Sequence, residues 1–490
     1  MHKIDPPIKY NFAGQVMTLA SGTFMAQLAG FILIPVFSRI FLPEHFGAAA
    51  VFDSLASLLG VVICLRYELS IMLPPDENDA ISIMALCLLT ALTLALVITI
   101  GVALNHQTNL IPVRAVLVKP YLWLLPLVLL LKGLYQTVYY WLSRNQKYFL
   151  MSVAAVTGSV VSGLIILGFV WGGLINTGAL IVGSVGGYLA MSALLTGYFI
   201  KVDFKKAVNN FKWADIRRNA LRYKKFPLVD AWSSLLNTLN YQLPILLIST
   251  FFAQSIVGQY SVVYRLMQLP MGLIVASIAQ VFYQRISEQV RNNADYADEI
   301  TKVVKVLFMV GVFPCIIALL FGQELMTVFL GAKWLEAGKY LQILGIYAFI
   351  KFCTSPVSSV LLALEKQGIL LIFNVISIIA TAVCLFIGGY MIKNIYLALL
   401  LFSLTGVVLY SGLLTYIYII SPKVTVKDFL GIINKIVYAL PFTLILVMMK
   451  YFIKFKDIYI TVSAVISLAI YYLVLIRKKE IILPVGNSVK

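Results

Sequence analysis

Charge is scarce in this 490-residue chain: 12% of residues are Asp, Glu, Lys or Arg, about half the share of an ordinary soluble domain. Acids are the scarcer sign, at 20 Asp and Glu against 38 Lys and Arg. With 61% apolar residues and a mean hydropathy of +0.94, a soluble globular chain is excluded. Histidine is reduced to His2, His45 and His106, none near a Glu or Cys pair. That removes the usual material for a metal centre or a histidine-dependent active site. Cys64, Cys87, Cys315, Cys353 and Cys384 all fall in apolar runs without ligand-like spacing. They read as small buried hydrophobes, not as disulfides or metal ligands, and no cofactor is expected. No cleavable leader is expected either: the first apolar run, from near Phe12, is long, lacks a small-residue cleavage site and reads as a retained first span.

What the chain has instead is apolar runs of 18 residues or more, each able to cross a hydrocarbon core of about 30 Å as a helix. Backbone in lipid must be satisfied within each segment, so the chain reads as an all-α polytopic membrane protein. Fourteen spans are expected, near 13–37, 47–66, 80–104, 119–141, 148–171, 178–200, 227–251, 256–282, 303–321, 340–363, 368–391, 395–420, 429–449 and 457–476. An even number puts both termini on one side. The loops and tails of that side hold 25 Lys and Arg against nine opposite, which makes it cytoplasmic. The net charge of +18 is spread over short loops, so it reads as a topology signal and not as a nucleic-acid surface.

The densest basic stretch, 201–226, holds nine Lys and Arg against two Asp. Its apolar residues Phe204, Val208, Phe211, Trp213 and Ile216 fit a short amphipathic helix on the membrane surface. An unstructured basic linker is the alternative. A weak internal repeat flanks it. FGAAAVFDSLASLL from Phe46 resembles VGQYSVVYRLMQLP from Val257, and SRNQKYFLMSV from Ser143 resembles LEKQGILLIFNV from Leu364, aligned on Gln146 and Gln367. Six spans separate equivalent helices, so the halves form a parallel repeat about an axis along the membrane normal. The organisation expected is a six-helix lobe at 1–200, a basic linker at 201–226, a second six-helix lobe at 227–420, and two extra helices with a basic tail at 421–490.

An ionisable group inside a span costs at least about 2.5–3.5 kcal/mol at mid-membrane, so each needs a reason. Arg265 and Asp53 occupy similar depths in repeat-equivalent helices, as do Lys132 and Lys351. Structural ion pairs or snorkelling would explain them; so would a shared, water-filled interior. Lys435 lies near a span end and reads as a snorkelling anchor. The seventh span carries Asp230, Ser233, Ser234, Asn237, Thr238 and Tyr241 on one continuous face, as a cavity-lining helix would. Asn11, Gln15, Thr18 and Gly22 do something similar in the first. Pro35, Pro244, Pro270 and Pro356 break their spans. Gly158 and Gly163 in the fifth span, with Gly183 and Gly187 in the sixth, mark close helix packing. Arg66, in Arg66-Tyr67-Glu68, can grip a phosphate bidentately or pair with Glu68.

LIPVFSRIFLPEHFG (33–47), LRYELSIMLP (65–74), KKFPLVDAWSSLLNTLNYQLPILLIS (224–249), VGQYSVVYRLMQLPMGLIVASIAQVFYQRISE (257–288) and FLGAKWLEAGKYLQIL (329–344) resemble the polysaccharide transporter family. That family includes bacterial O-antigen and capsule-repeat flippases, within the superfamily of multidrug, oligosaccharidyl-lipid and polysaccharide exporters. The resemblance implies two six-helix lobes around a central cavity. It further implies an inner-membrane carrier that moves undecaprenyl-pyrophosphate-linked oligosaccharide to the periplasmic leaflet by alternating access. Arg265, Arg66 and Lys132 or Lys351 would then hold the pyrophosphate. Asp53, Asp230 and Asn237 would bind sugar or a coupling ion, H+ or Na+. Membrane lipids and the polymerase or assembly machinery of the same pathway are the implied partners. A drug or cation antiporter of the same fold would want more embedded acids. A membrane polymerase or glycosyltransferase would want a sizeable outer loop, and no outward loop exceeds about 20 residues.

Overall fold

The computed structural model of the chain describes residues 12–108, 117–205, 208, 212–292, 294–421, 431, 434–453, 455–478 and 480. Its long elements are all helices: α1 (Phe12–Ile40), α2 (Pro43–Gly60), α3 (Glu77–Thr108), α4 (Leu125–Arg144), α5 (Tyr148–Trp171), α6 (Thr177–Val202), α7 (Trp213–Arg222), α8 (Ala231–Phe251), α9 (Gln254–Pro270), α10 (Ala276–Arg291), α11 (Ala297–Leu330), α12 (Leu335–Val357), α13 (Ser359–Ala363), α14 (Gln367–Phe386), α15 (Ile395–Ile420), α16 (Leu440–Val447) and α17 (Asp457–Arg477). Among the described residues ten helices are long and apolar enough to cross a membrane, which makes this a multi-pass membrane protein. The other four expected spans coincide with α2, α8, α9 and the Leu440–Phe452 segment, which are shorter or more polar.

The chain divides into two compact units, residues 1–37 with 51–238 and residues 38–50 with 239–490. The dividing points fall inside α1, α2 and α8, not in the basic stretch. In the first unit α5 lies along α6, and α4 packs on α3 and α6. Gly158 and Gly187 permit the α5–α6 approach: a Cβ on Gly187 would stand 2.8 Å from the Gly158 carbonyl oxygen. The amphipathic helix of the basic stretch begins at Trp213, later than the apolar stripe from Phe204 suggests; Phe211 lies outside the described residues. Its Ile216 and Asn219 are buried, and the helix packs on α3. Asp79, in the first turn of α3, accepts from Arg218 at 2.5 Å and from Asn219 at 3.0 Å, with Arg222 at 3.8 Å. A carboxylate at a helix N-terminus is already favoured by the helix dipole, and these donors add charge-assisted hydrogen bonds to it. The basic stretch is therefore clamped to the first unit by its second half.

In the second unit α12 packs on α11 and α15. α11 contains Pro314 and a non-helical residue, Phe321, and each break frees backbone carbonyls. The last two spans fill them. Tyr472 donates to the Val310 carbonyl at 2.9 Å, the one Pro314 cannot serve, and Tyr471 donates to Met309 at 2.6 Å. At the second break Lys450 donates to the Leu320 carbonyl at 2.8 Å and pairs with Glu324 at 2.7 Å. Lys450 thus reaches α11 from the helical turn Met448–Phe452. At the other end Glu480 pairs with Lys305 at 2.6 Å and Lys435 at 2.7 Å, which holds its carboxyl down to about 2. Phe313, Tyr471 and Phe442 join the two helices to α11 in one apolar cluster.

The second unit also contains Ser38–Ala50. Trp334 Nε1 donates to the Ser38 carbonyl at 2.8 Å, Lys333 to Arg39 at 3.0 Å, and Phe46 meets Trp334 edge-on at 5.2 Å. α2 and α9 cross at Gly47 and Gly258, the pair that opened the sequence repeat. A Cβ on either would run into main chain, Gln254 for Gly47 and Pro43 for Gly258.

Candidate functional site

The turns after α4 and after α13 are built alike. Asn145, Gln146 and Lys147 close on Trp141, Ser143 and Leu142; Leu364, Glu365 and Lys366 close on Val360, Leu362 and Leu361. Gln146 and Glu365 are both left-handed, with φ of 57° and 56°. The matching residues are therefore Gln146 and Glu365, an offset of 219 that corrects the Gln146–Gln367 alignment by two. Lys132 and Lys351 then fall in the same register, each 14 residues before its left-handed turn residue.

Within the first unit, α2 stops at Gly60 and α4 takes over its final carbonyls. Lys132 Nζ donates to Ala56 at 3.0 Å, and Gln136 donates to Gly60 at 3.2 Å. A cation at a helix C-terminus also meets the negative end of the helix dipole. Nζ of Lys132 lies 4.8 Å from the Tyr188 ring centroid. The chain leaves α2 through Leu65 and Arg66, at φ 49° and 63°, two consecutive side-chain-bearing residues in the left-handed region. Such a pair costs of order 1–3 kcal/mol per residue and persists only when its surroundings fix it. What fixes it is an ion-pair fork: Arg66 Nε reaches Asp230 at 2.8 Å and Nη1 reaches Glu68 at 3.2 Å. Glu68 is 1% exposed, and its second carboxylate oxygen has no hydrogen-bond partner. Burial pushes its carboxyl up to about 7, even though Arg66 pulls the other way.

Within the second unit Lys351 is buried on α12. Its Nζ lies 4.7 Å from the Tyr241 ring centroid, 5.6 Å from Tyr347 and 5.7 Å from Tyr410, and approaches the Tyr347 hydroxyl at 3.4 Å. The negative ring faces stabilise the ammonium by cation–π attraction. Tyr264, Asn240, Ser377 and Thr381 line the same pocket. Ser377 donates to Asn240 at 3.1 Å, and Asn240 donates to Asn374 at 3.4 Å, which ties α8 to α14. The space left is that of about one water molecule. Among the described residues neither Lys132 nor Lys351 is paired with a carboxylate; their partners are carbonyls, a hydroxyl and aromatic rings.

The structure therefore brings Arg66 and Asp230 together, but as partners of each other. Lys132 and Lys351 hold equivalent positions in separate units. Asp53 is half-buried on α2, Asn237 is exposed on α8, and Arg265 is exposed on α9 and does not line the Lys351 pocket. Tyr264, Tyr347, Tyr410, Asn240 and Ser377 escaped sequence reasoning. Tyr347 stands one helical turn before Lys351, and that i, i+4 spacing was the available signal.

The sequence profile described as polysaccharide biosynthesis protein matches residues 36–339. The lipopolysaccharide biosynthesis protein WzxC of Escherichia coli (strain K12) is 24% identical over 209 residues, 42% of this chain and 41% of that protein. The teichuronic acid biosynthesis protein TuaB of Bacillus subtilis (strain 168) is 24% identical over 213 residues, 38% of this chain and 44% of that protein. The chain thus spans about two fifths of the length of the curated relatives it matches. Among solved structures, the lipid II flippase MurJ in an inward closed conformation superposes with a TM-score of 0.70 at 16% identity, covering 94% of this chain and 99% of that one.

Proposed function

The chain belongs to the polysaccharide biosynthesis protein family, and from that premise we propose that it flips an undecaprenyl-pyrophosphate-linked oligosaccharide across the bacterial inner membrane, with cytoplasmic termini, by alternating access of its two units. The observation that carries this reading is the pair of embedded lysines in one register, neither neutralised by a carboxylate. An ammonium at membrane depth is retained at a cost of a few kcal/mol. A carrier of a doubly charged pyrophosphate has a use for two. An antiporter of organic cations would need the opposite sign there. WzxC, TuaB and MurJ are named for lipopolysaccharide, teichuronic acid and lipid II work, which suits a lipid-linked glycan as the cargo class.

In this reading Lys351 and Lys132 attract the pyrophosphate, and Arg265 on α9 adds a third cation. Arg66 is engaged by Asp230 and Glu68, so it serves the cargo only if that fork opens. Asn237 and Asp53 are assigned to sugar hydroxyls. Assembly enzymes of the same pathway are the partners that would supply and consume the cargo.

The test is reconstitution of the full chain in liposomes with a fluorescent pyrophosphate-linked oligosaccharide, scored by its access to a membrane-impermeant quencher. Lys351→Gln should cut the flipping rate by about tenfold or more, as loss of a charge-assisted contact of about 1.5–3 kcal/mol requires. Its thermal midpoint should stay near the parent's. Unchanged flipping by that variant removes Lys351 from the site. Failure of the parent chain to move any pyrophosphate-linked lipid, with the uncharged lipid alcohol moved instead, rejects the function.

A further inference from the structure

Helix α7 has two unlike faces. Asp215, Ile216, Arg218, Asn219 and Arg222 point to the α3 side or pair there, through the Asp79 clamp and the 3.0 Å Asp215–Arg218 pair. Tyr67 adds a hydrogen bond to the Ala220 carbonyl at 3.1 Å. The opposite face carries Trp213, Arg217 and Leu221 at i, i+4 and i+8, and Lys224 follows in the turn after the helix. Trp213 and Leu221 are 70% and 61% exposed, although both are apolar side chains on a helix whose other face is seated on α3 through Ile216 and Asn219. Lys212, Arg217, Lys224 and Lys225 are exposed too, and none takes part in an ion pair among the described residues. The exposed apolar edge continues past the helix through Leu228, Val229 and Trp232 into α8.

We infer that this face is a docking surface for anionic phospholipid, with Trp213 and Leu221 inserted at the headgroup boundary and Lys212, Arg217, Lys224 and Lys225 on the phosphates. The chemistry is complementary in both components: four uncompensated cations for an anionic surface, and an interleaved Trp and Leu for the acyl boundary. A soluble acidic partner would satisfy the cations but leave the apolar stripe in water. The neighbouring exposed edge of Leu228, Val229 and Trp232 runs on into α8, the seventh expected span, so the apolar face continues toward the expected membrane boundary. Because Asp79 grips the other face, lipid held by α7 is coupled to the α3 end of the first unit. The basic stretch then works as an anchored strut and not as a free tether. This inference stands apart from the identity of the cargo.

The experiment is hydrogen exchange of residues 212–225 in the full chain, in nanodiscs of phosphatidylglycerol or of phosphatidylcholine, with no glycolipid present. An anionic surface favours each nearby Lys or Arg by about fivefold, so exchange should be at least about tenfold slower in phosphatidylglycerol. The difference should vanish in high salt, where the Debye length falls to about 3 Å at 1 M. It should also vanish in a variant combining Lys212→Glu, Arg217→Glu, Lys224→Glu and Lys225→Glu. Asp79→Asn separates the clamp from the lipid: it should speed exchange in phosphatidylcholine and leave the lipid-dependent slowing in place. Equal exchange in the two lipids overturns the inference. So does slowing that survives charge reversal, or slowing reproduced in phosphatidylcholine by inorganic phosphate or polyglutamate. Parallel thermal melts show that the variants remain folded.

Discussion

Glu68 offers the sharpest quantitative test of the first unit. Its carboxyl is 1% exposed, makes one ion pair with Arg66 at 3.2 Å, and leaves one oxygen without a partner. The residue lies between α2 and α3, outside the candidate spans. Burial raises its pKa from 4.5 to about 7. A raised carboxyl pKa means that folding favours the protonated form. No stability is lost below the unfolded value of 4.5. As pH climbs from there to about 7, the folded state is progressively penalised, and above 7 the penalty is constant. At 1.36 kcal/mol per unit, the shift corresponds to about 3 kcal/mol. Glu68→Gln keeps the shape and the hydrogen-bonding reach without the charge. The measurement is the thermal midpoint of parent and variant in nanodiscs, at half-unit steps from pH 4.5 to 8. The parent should lose stability relative to the variant across that window, by several degrees in total, and the gap should be flat above about pH 7.5. Parallel curves would refute the reasoning, because they would mean that Glu68 is solvated or fully compensated in the folded protein.

Two further perturbations address packing in the second unit. Gly258→Ala puts a methyl group into the main chain of Pro43 at the α2–α9 crossing. Main chain cannot swing aside as a side chain can, so a loss at or above the roughly 1–3 kcal/mol of an overpacked site is expected, read as a fall in thermal midpoint. An Ala at Gly412, where no neighbour stands within 4 Å, should be close to neutral. Lys450→Met strands Glu324 beside the α11 break and leaves the Leu320 carbonyl unserved. Breaking a buried pair from one side costs about 3–5 kcal/mol, and this pair is partly exposed, so the lower end applies. Adding Glu324→Gln to that variant should recover part of the loss in the same melt. No recovery would place the effect in the carbonyl contact alone.

The helices were legible because lipid imposes one rule on every span, and apolar length records it directly. Breaks were legible where proline causes them, as at Pro270, which is followed by the wider turn Met271–Val275. The break at Phe321 was not, because nothing in the residue itself forbids helix; what stabilises it is Lys450, 129 positions later. The two lysines were visible as a pair at similar depths in repeat-equivalent helices, but their exact common register was not. Matching two glutamines misplaced the repeat by two residues, whereas the backbone matches Gln146 to Glu365, unlike side chains in one left-handed turn. Tyr241 was legible on the polar face of its helix, but Tyr347 and Tyr410 were hidden, because the three rings come from three helices and meet only in the fold.

That common register also sharpens what the two lysines can do. Lys132 donates to the end of α2 at 3.0 Å, where the fixed dipole of a helix terminus competes with any incoming anion. Lys351 has no such acceptor: its closest polar contact is a hydroxyl at 3.4 Å, and the rest of its stabilisation comes from ring faces. Cation–π contacts of about 0.5–2 kcal/mol are weaker than a charge-assisted hydrogen bond to phosphate, so the ring faces compete less with an anion than a helix terminus does. Equivalent positions thus hold a structural cap in the first unit and a cation stabilised mainly by ring faces in the second. If an anionic cargo recruits one of them first, the physical asymmetry points to Lys351, and Lys132→Gln should lower stability more than it lowers the rate of flipping.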